Sequence, residues 1–252
     1  MSRLTDEIAR RYYATTASRG HRPSIDYYED AADRLMRRLR GWLPSGPSDR
    51  CVDLACGCGE MLYLLRRLGF KNLSGVDTSE DELGHARRHV ECEFVVSDAA
   101  DYLRQCRAES IDFISALNFL EHLSRDALLQ VLHEARRVLR PGGVVVAMVP
   151  NALSPFSGIT RYWDLTHEWS FSPNNFRQLA QLTGFSPDVQ FRECGPVAHG
   201  LVSGLRWLMW QAVRLGIAGR LLIEIGTARG FVYTMDMLVR LSVPERADEA
   251  SA

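Results

Sequence analysis

The sequence has almost no net charge: 30 basic and 31 acidic side chains leave a formal charge of −1. No global basic field is present to gather nucleic acid, which argues against a nucleic-acid-binding protein. The six cysteines (Cys51, Cys56, Cys58, Cys92, Cys106 and Cys194) contain no CxxC pair and no regular spacing. That pattern suits reduced thiols rather than a zinc or disulfide framework. No apolar run approaches the roughly 18 residues of a membrane span. The opening residues, Met1 to Glu7, lack the apolar core of a secretory signal. Cytoplasm is therefore the expected location. No internal repeat or low-complexity tract is visible.

Hydrophobic residues make up 46% of the 252 and charged residues 24%, an ordinary balance for a soluble globular chain. One domain with an elaborated end fits this length. Residues 1–47 read as an N-terminal helical lid, with Tyr27, Ala31, Leu35, Leu39 and Trp42 at helical spacing. A Pro/Ser/Gly break at 44–48 ends it.

Apolar runs then alternate with helical stretches. Strands are expected at 51–55, 73–76, 93–96, 111–117 and 144–149, and helices at 60–68, 79–89, 99–105 and 126–139. Such alternation implies parallel pairing through right-handed crossovers. Residues 48–150 thus read as the core. Residues 151–244 read as a long loop, two closing strands at 188–193 and 231–241, and an apolar helical insertion of the same domain. Residues 245–252 read as a disordered tail. The expected fold is α/β, a doubly wound, seven-stranded, mostly parallel sheet with helices on both faces.

The first strand runs into Asp53-Leu54-Ala55-Cys56-Gly57-Cys58-Gly59. Glycines in a strand-to-helix turn let backbone approach a ligand, and the next helix aims N–H groups at it. A dinucleotide fingerprint needs a third glycine at position 62, which is Leu62. Asp53 can accept from an ammonium, which suits a zwitterionic amino-acid tail better than a pyrophosphate. Asp77 ends the second strand, twenty residues beyond Gly57, and can accept from ribose hydroxyls. Asp98 follows the third strand and can accept from an adenine amine, with Ala99 offering backbone. The three carboxylates end successive strands, at the edge where open α/β sheets bind ligands.

These motifs, with Gly75-Val76-Asp77-Thr78-Ser79, Leu120-Glu121-His122-Leu123 and Leu139-Arg140-Pro141-Gly142-Gly143, resemble a class I S-adenosylmethionine-dependent methyltransferase. The resemblance implies a Rossmann-like fold with S-adenosyl-L-methionine as cofactor. It assigns Asp53, Gly57 and Gly59 to the methionine end, Asp77 to the ribose and Asp98 to the adenine. Ala55, Thr78, Ala99 and Asn118 join the same expected site. Ala55 stands where the family has its first glycine. Later motifs, including Arg161-Tyr162-Trp163-Asp164-Leu165-Thr166-His167-Glu168, resemble a bacterial subgroup associated with sugar O-methylation in surface-polysaccharide biosynthesis.

Methyl transfer to a hydroxyl needs positioning and gains from a general base. The expected base is His167, oriented by Asp164, with His122 the second choice. Trp163 and Trp169 can stack on a sugar face, and Arg161 can take an anion. No resident metal is expected. The alternative is a divalent cation on Asn118, Glu121, His122 and His167, a set similar to one by which some methyltransferases hold a cation. Tyr12, Tyr13, Tyr27 and Tyr28 are candidates for a lid over the cofactor or for plain packing. The apolar segment 201–225 either packs on the sheet, forms a homodimer face or lies on a membrane. Gly216 and Gly219 suggest two short helices there. The expected partner is a glycan or small-molecule acceptor.

Overall fold

The computed structural model of the protein describes residues 23–246. Tyr12, Tyr13 and most of the expected tail lie outside the described residues. The described residues open with helix α1, Ile25–Leu39, capped by Ser24, whose hydroxyl accepts from the Tyr27 N–H. Its buried face carries Tyr28, Ala31, Ala32 and Leu39.

Five strands and four helices then alternate. They are β1 Arg50–Leu54, α2 Glu60–Arg67, β2 Asn72–Asp77, α3 Glu80–Ala86, β3 Glu93–Val96, α4 Ala99–Gln105, β4 Ile111–Leu117, α5 Arg125–Val138 and β5 Leu139–Pro150. Short α6, Ser157–Arg161, interrupts the long loop after β5. Next come α7 Pro173–Thr183, β6 Gln190–Glu193, α8 Leu201–Ile225 and β7 Asp236–Ser242.

The sheet order is β3-β2-β1-β4-β5-β7-β6. Strands β1 to β5 pair in parallel, and β7 runs antiparallel to both β5 and β6. The central strands are buried on both faces, so they read as continuous apolar runs. One core cluster forms around Ile114, Leu132 and Phe176, the other around Leu62, Leu65 and Phe113. From β1 the chain winds outward to β3 and then returns to β4. The C-terminal tips of β1 and β4 therefore flank the crevice where such sheets bind ligands.

Three expectations change. Strand β5 begins at Leu139, not residue 144: Ile111 pairs with Leu139 and Phe113 with Val144, so residues 140–143 of β5 bulge opposite the single Asp112 of β4. Strand β7 starts only at Asp236. Before it, the Val232 and Thr234 carbonyls accept from the buried Asn151 side chain, at 2.7 and 2.8 Å, instead of a neighbouring strand. Segment 201–225 is one helix, not two, and none of its residues is buried. Two mid-helix glycines cost only about 1 kcal/mol each, too little to break 25 residues. The helix is held by Trp210 and Arg214, which both donate to Glu193. Nor does any described helix have the length and apolarity to cross a membrane.

Candidate active site

A cavity of about 350 Å³ opens at the tips of β1, β4 and β5, roofed by α1. Its loop end is made by Asp53, Ala55, Gly57 and Glu60. Its far wall is Leu117, Asn118 and Met148. Tyr27, Arg34 and Arg38 face it from α1.

The turn after β1 is wound through the left-handed region: φ is 51° at Ala55, 52° at Gly57 and 85° at Gly59. Alanine there costs about 1–2 kcal/mol, which explains why glycine is the usual residue at position 55. Gly59 does not face the cavity, and its role is packing. A Cβ on it would lie 3.2 Å from that of Ala86, so it lets α3 close against the start of α2.

Asp53 is buried beneath the turn, and its Oδ1 accepts from the Ser115 hydroxyl at 2.6 Å. Strand register sets this contact, since Asp53 and Ser115 are paired positions of β1 and β4. Burial pushes the Asp53 carboxyl up to about 7; the Ser115 hydroxyl opposes this, and Glu60 and Asp77 add to it. Glu82 also lines the cavity, and burial beside Asp77 and Glu60 pushes it up to about 7. Two carboxylates held so close to neutrality in one cavity fit a cationic ligand, which would restore their charge. The ammonium and sulfonium of S-adenosylmethionine meet that requirement.

Asp77 braces the turn: its Oδ2 accepts from the Gly57 N–H at 2.9 Å and its Oδ1 from Ser79 at 2.8 Å. Asp98 caps α4 through Ala100 N–H, at 2.8 Å, and remains exposed, as does Thr78. Ala99 is buried behind it. Asn118, φ 54°, is exposed and lines the cavity. Of the nine expected cofactor residues, the cavity thus brings together Asp53, Ala55, Gly57 and Asn118. Tyr28 ties the roof down, donating to the Cys58 carbonyl at 2.7 Å, and Tyr27 bonds Glu60. All six cysteines are free thiols, and burial pushes Cys58 up to about 12.

Beyond Asn118 the rings of His122 and His167 meet edge to face, with centroids 4.7 Å apart. Asp164 does not bond the His167 ring. Its Oδ1 accepts from both the N–H and the hydroxyl of Thr166, at 2.8 and 2.7 Å. The Thr166 oxygen stands 2.6 Å from His122 Nδ1. Asp164 therefore orients His122 through Thr166. Burial raises the Asp164 carboxyl, but the two Thr166 bonds outweigh it and hold it below the ordinary range. His167 is oriented by the Thr160 carbonyl instead, which can only accept, so its Nδ1, at 2.8 Å, carries the proton.

Burial and the neighbouring His167 lower His122 to about 4. Glu121 is buried as well, with Oε2 lacking a hydrogen-bond partner and its carboxyl pushed up to about 8, chiefly by burial. Glu121, His122 and His167 bring ligand atoms within 4.8 Å of one another. In the same segment Trp169 is taken by packing: it stacks on Phe171 and donates to the Leu123 carbonyl at 2.8 Å. Arg161 is bonded to the His167 carbonyl. Trp163 stays 77% exposed and available to a ligand.

Residues 51–143 match the methyltransferase domain family. The chain is 33% identical over 120 residues to 27-O-demethylrifamycin SV methyltransferase of Amycolatopsis mediterranei (strain S699), covering 46% of this chain and 43% of that protein. It is 26% identical over 129 residues to ubiquinone biosynthesis O-methyltransferase of Actinobacillus pleuropneumoniae serotype 7, covering 48% of this chain and 49% of that protein. The matches thus span about half the length of these curated relatives. Its fold is shared with a SAM-dependent methyltransferase from Archaeoglobus fulgidus, at a TM-score of 0.64 and 22% identity, over 92% of this chain and 98% of that one. Residues 51–143 therefore match a methyltransferase domain, and the chain shares the fold of an S-adenosylmethionine-dependent methyltransferase.

Proposed function

We propose that the protein is an S-adenosylmethionine-dependent O-methyltransferase whose acceptor is a sugar hydroxyl on a nucleotide-linked, lipid-linked or polymeric glycan. The observation that carries methyl transfer is the cavity itself. It joins an acid-lined glycine turn to a wall at Asn118, whose backbone bonds His122; the His122–His167 pair itself stands outside the cavity lining. The exposed Tyr162 and Trp163 support a sugar face as the acceptor. The relatives' names extend the choice to hydroxyls of small molecules, including quinone and antibiotic types.

The bound cofactor supplies a methyl group on an activated sulfonium. Asp53 and Glu82 hold the positive end, and Asp77 and the turn backbone hold the sugar. His167, with its proton on Nδ1, presents the Nε2 lone pair that takes the acceptor's proton. His122, neutral at physiological pH, orders the same corner through Thr166 and Asp164.

Incubation with labelled S-adenosylmethionine and a panel of glycan, nucleotide-sugar and quinone-type acceptors, read by mass spectrometry, tests the reading. A labelled glycan product is expected; label on the quinone-type acceptors alone moves the substrate class. Binding neither S-adenosylmethionine nor its demethylated product, by titration calorimetry, would mark a non-catalytic module. His167→Ala should bind the cofactor normally and lose about 10²–10⁴-fold in kcat. Full kcat in that variant removes the base assignment.

One specific observation favours a second reading of the same corner. Glu121 Oε2 is buried and unpartnered beside two imidazoles, a donor set that suits a divalent transition metal. On this reading a cation acidifies the acceptor hydroxyl in place of the base. Turnover that survives thorough chelation excludes it; loss reversed by metal add-back supports it.

A further inference from the structure

We infer that Arg38 is an anion-binding residue for the acceptor, and that the methylated hydroxyl sits on a molecule carrying a carboxylate or a phosphate. This deepens the methyltransferase reading and rests on it. Arg38 lines the cavity from α1. Among the described residues, its side chain's one hydrogen bond goes from Nη1 to the Met148 sulfur at 3.7 Å, and thioether sulfur is a weak acceptor. Among the described residues it has no ion pair. Helix neighbours do not supply one: position 34, one turn earlier, is another arginine, and position 42, one turn later, is Trp42. The nearby acids of α1, Glu29 and Asp33, are bonded to Arg67.

Asp236 is the carboxyl that feels Arg38, yet it stands outside ion-pair distance, and burial dominates, pulling it toward the neutral form. The guanidinium fork is thus held beside a cavity with no anion to fill it. Arg forks match planar carboxylates and phosphates, and an uncompensated one in a cleft favours such a partner.

Position decides which ligand the anion belongs to. Arg38 lies on Met148, at the tip of β5, and close to Asp236 at the start of β7. Arg38 shares the cavity wall with Met148 and Asn118, and Asn118 lies four residues before His122. The acids that suit a cationic cofactor lie at the other end, on the turn after β1. Arg34 stands nearer that end, where it and Glu60 act on Tyr27 from opposite signs. The cavity is therefore graded, with carboxylates at the turn and a free guanidinium at the strand tips. An acceptor entering at the strand tips meets Arg38 at the Asn118–Met148 wall. An acidic sugar or a sugar phosphate carries the required group next to a hydroxyl.

The test uses matched acceptors: methyl glucoside as the neutral probe, methyl glucuronoside for a carboxylate and glucose 1-phosphate for a phosphate. Transfer is measured with labelled S-adenosylmethionine on the whole protein, its Arg38→Met variant and its Arg38→Lys variant. Titration with S-adenosylhomocysteine is run in parallel. Wild-type protein should prefer one or both anionic probes over the neutral one. Arg38→Met should cut the ratio of kcat/KM for anionic over neutral acceptor by about 10- to 100-fold, mainly through KM. Arg38→Lys should restore part of that ratio, and a misfolded variant would lose S-adenosylhomocysteine binding as well. The two anionic arms separate carboxylate from phosphate recognition. An unchanged ratio overturns the inference. So does Arg38→Met weakening S-adenosylhomocysteine as much as it weakens the acceptor, since Arg38 would then serve the cofactor. Wild-type protein that binds no S-adenosylhomocysteine would sink the methyltransferase reading itself, and this inference with it.

Discussion

Asp53→Asn exposes the conflict between stability and binding at the centre of the site. Asp53 is 4% exposed, and burial pushes its carboxyl up to about 7, against about 4 in an unfolded chain. Between those values the native state keeps a proton that the unfolded state has lost. Stability therefore falls as pH rises through about 4–7, and the contribution is gone above the native value. That gap corresponds to about 4 kcal/mol, or about 2–4 kcal/mol once water and local relaxation soften the burial. Asparagine has the same shape, and its oxygen can still accept from Ser115. At pH 5 both native states hold a neutral group but the unfolded wild type is already ionised, so Asp53→Asn should lead by only about 1–2 kcal/mol. At pH 8 Asp53→Asn should be more stable by about 2–4 kcal/mol, which raises Tm by about 4–16 °C at this chain length.

Binding runs the other way. The proposed cofactor ammonium needs the carboxylate, so wild-type affinity for S-adenosylhomocysteine should rise as pH passes through 7. Asp53→Asn should bind at least about 10-fold more weakly at pH 8 and lose most of that pH dependence. Glu82 titrates in the same window with the same sign, so Glu82→Gln in the Asp53→Asn background removes the remainder. Thermal unfolding from pH 5 to pH 8 and calorimetric titration at each pH read both effects. A variant no more stable than wild type at pH 8 refutes the buried-charge argument. One that binds S-adenosylhomocysteine at full strength refutes the ammonium role.

How much of this was legible in the sequence depends on the range of each contact. The mostly parallel α/β architecture followed from alternating apolar and helical runs, because such alternation calls for parallel pairing through right-handed crossovers. The turn at Ala55–Gly59 was legible because its glycines solve a local backbone problem. Ser115 was not, because its contact with Asp53 exists only through the register of β1 against β4, across 62 residues. Glu82 was hidden by its position. It sits three residues after the cap Ser79, where helix-start chemistry accounts for a glutamate. The histidine corner failed in a different way. An aspartate readily takes the N–H and hydroxyl of a threonine two residues on, and that local turn chemistry won Asp164 from the expected His167. Helix α8 shows the limit of hydropathy. Its apolar run reads as sheet packing, a homodimer face or a membrane surface, and Leu201, Leu215 and Ile223, each at least 75% exposed, speak against the first.

Three further perturbations check the framework around the cavity. Gly75→Ala should destabilise by about 1–3 kcal/mol, because the new Cβ would meet Leu62 at 2.6 Å, Phe94 at 2.8 Å and Cys56 at 2.9 Å; denaturant unfolding with unchanged stability would mean the core there yields freely. Tyr28→Phe removes the bond to the Cys58 carbonyl and should cost about 1 kcal/mol, with faster release of S-adenosylhomocysteine in stopped-flow, unless α1 is no roof at all. Asn151→Ala should be the most damaging of the three. The fully buried Asn151 amide serves the Val232 and Thr234 carbonyls, and its oxygen accepts from the Leu153 N–H at 3.0 Å. Alanine strands three backbone groups, each costing about 1–3 kcal/mol when unsatisfied, so a loss of about 3–5 kcal/mol is expected even if water reaches one of them. Because these bonds join the end of β5 to the segment entering β7, the loss should loosen the wall that carries Met148 and Asp236. Hydrogen exchange should therefore rise at residues 231–236 before it rises at β1, and equal protection in both places would show that Asn151 does not hold that wall.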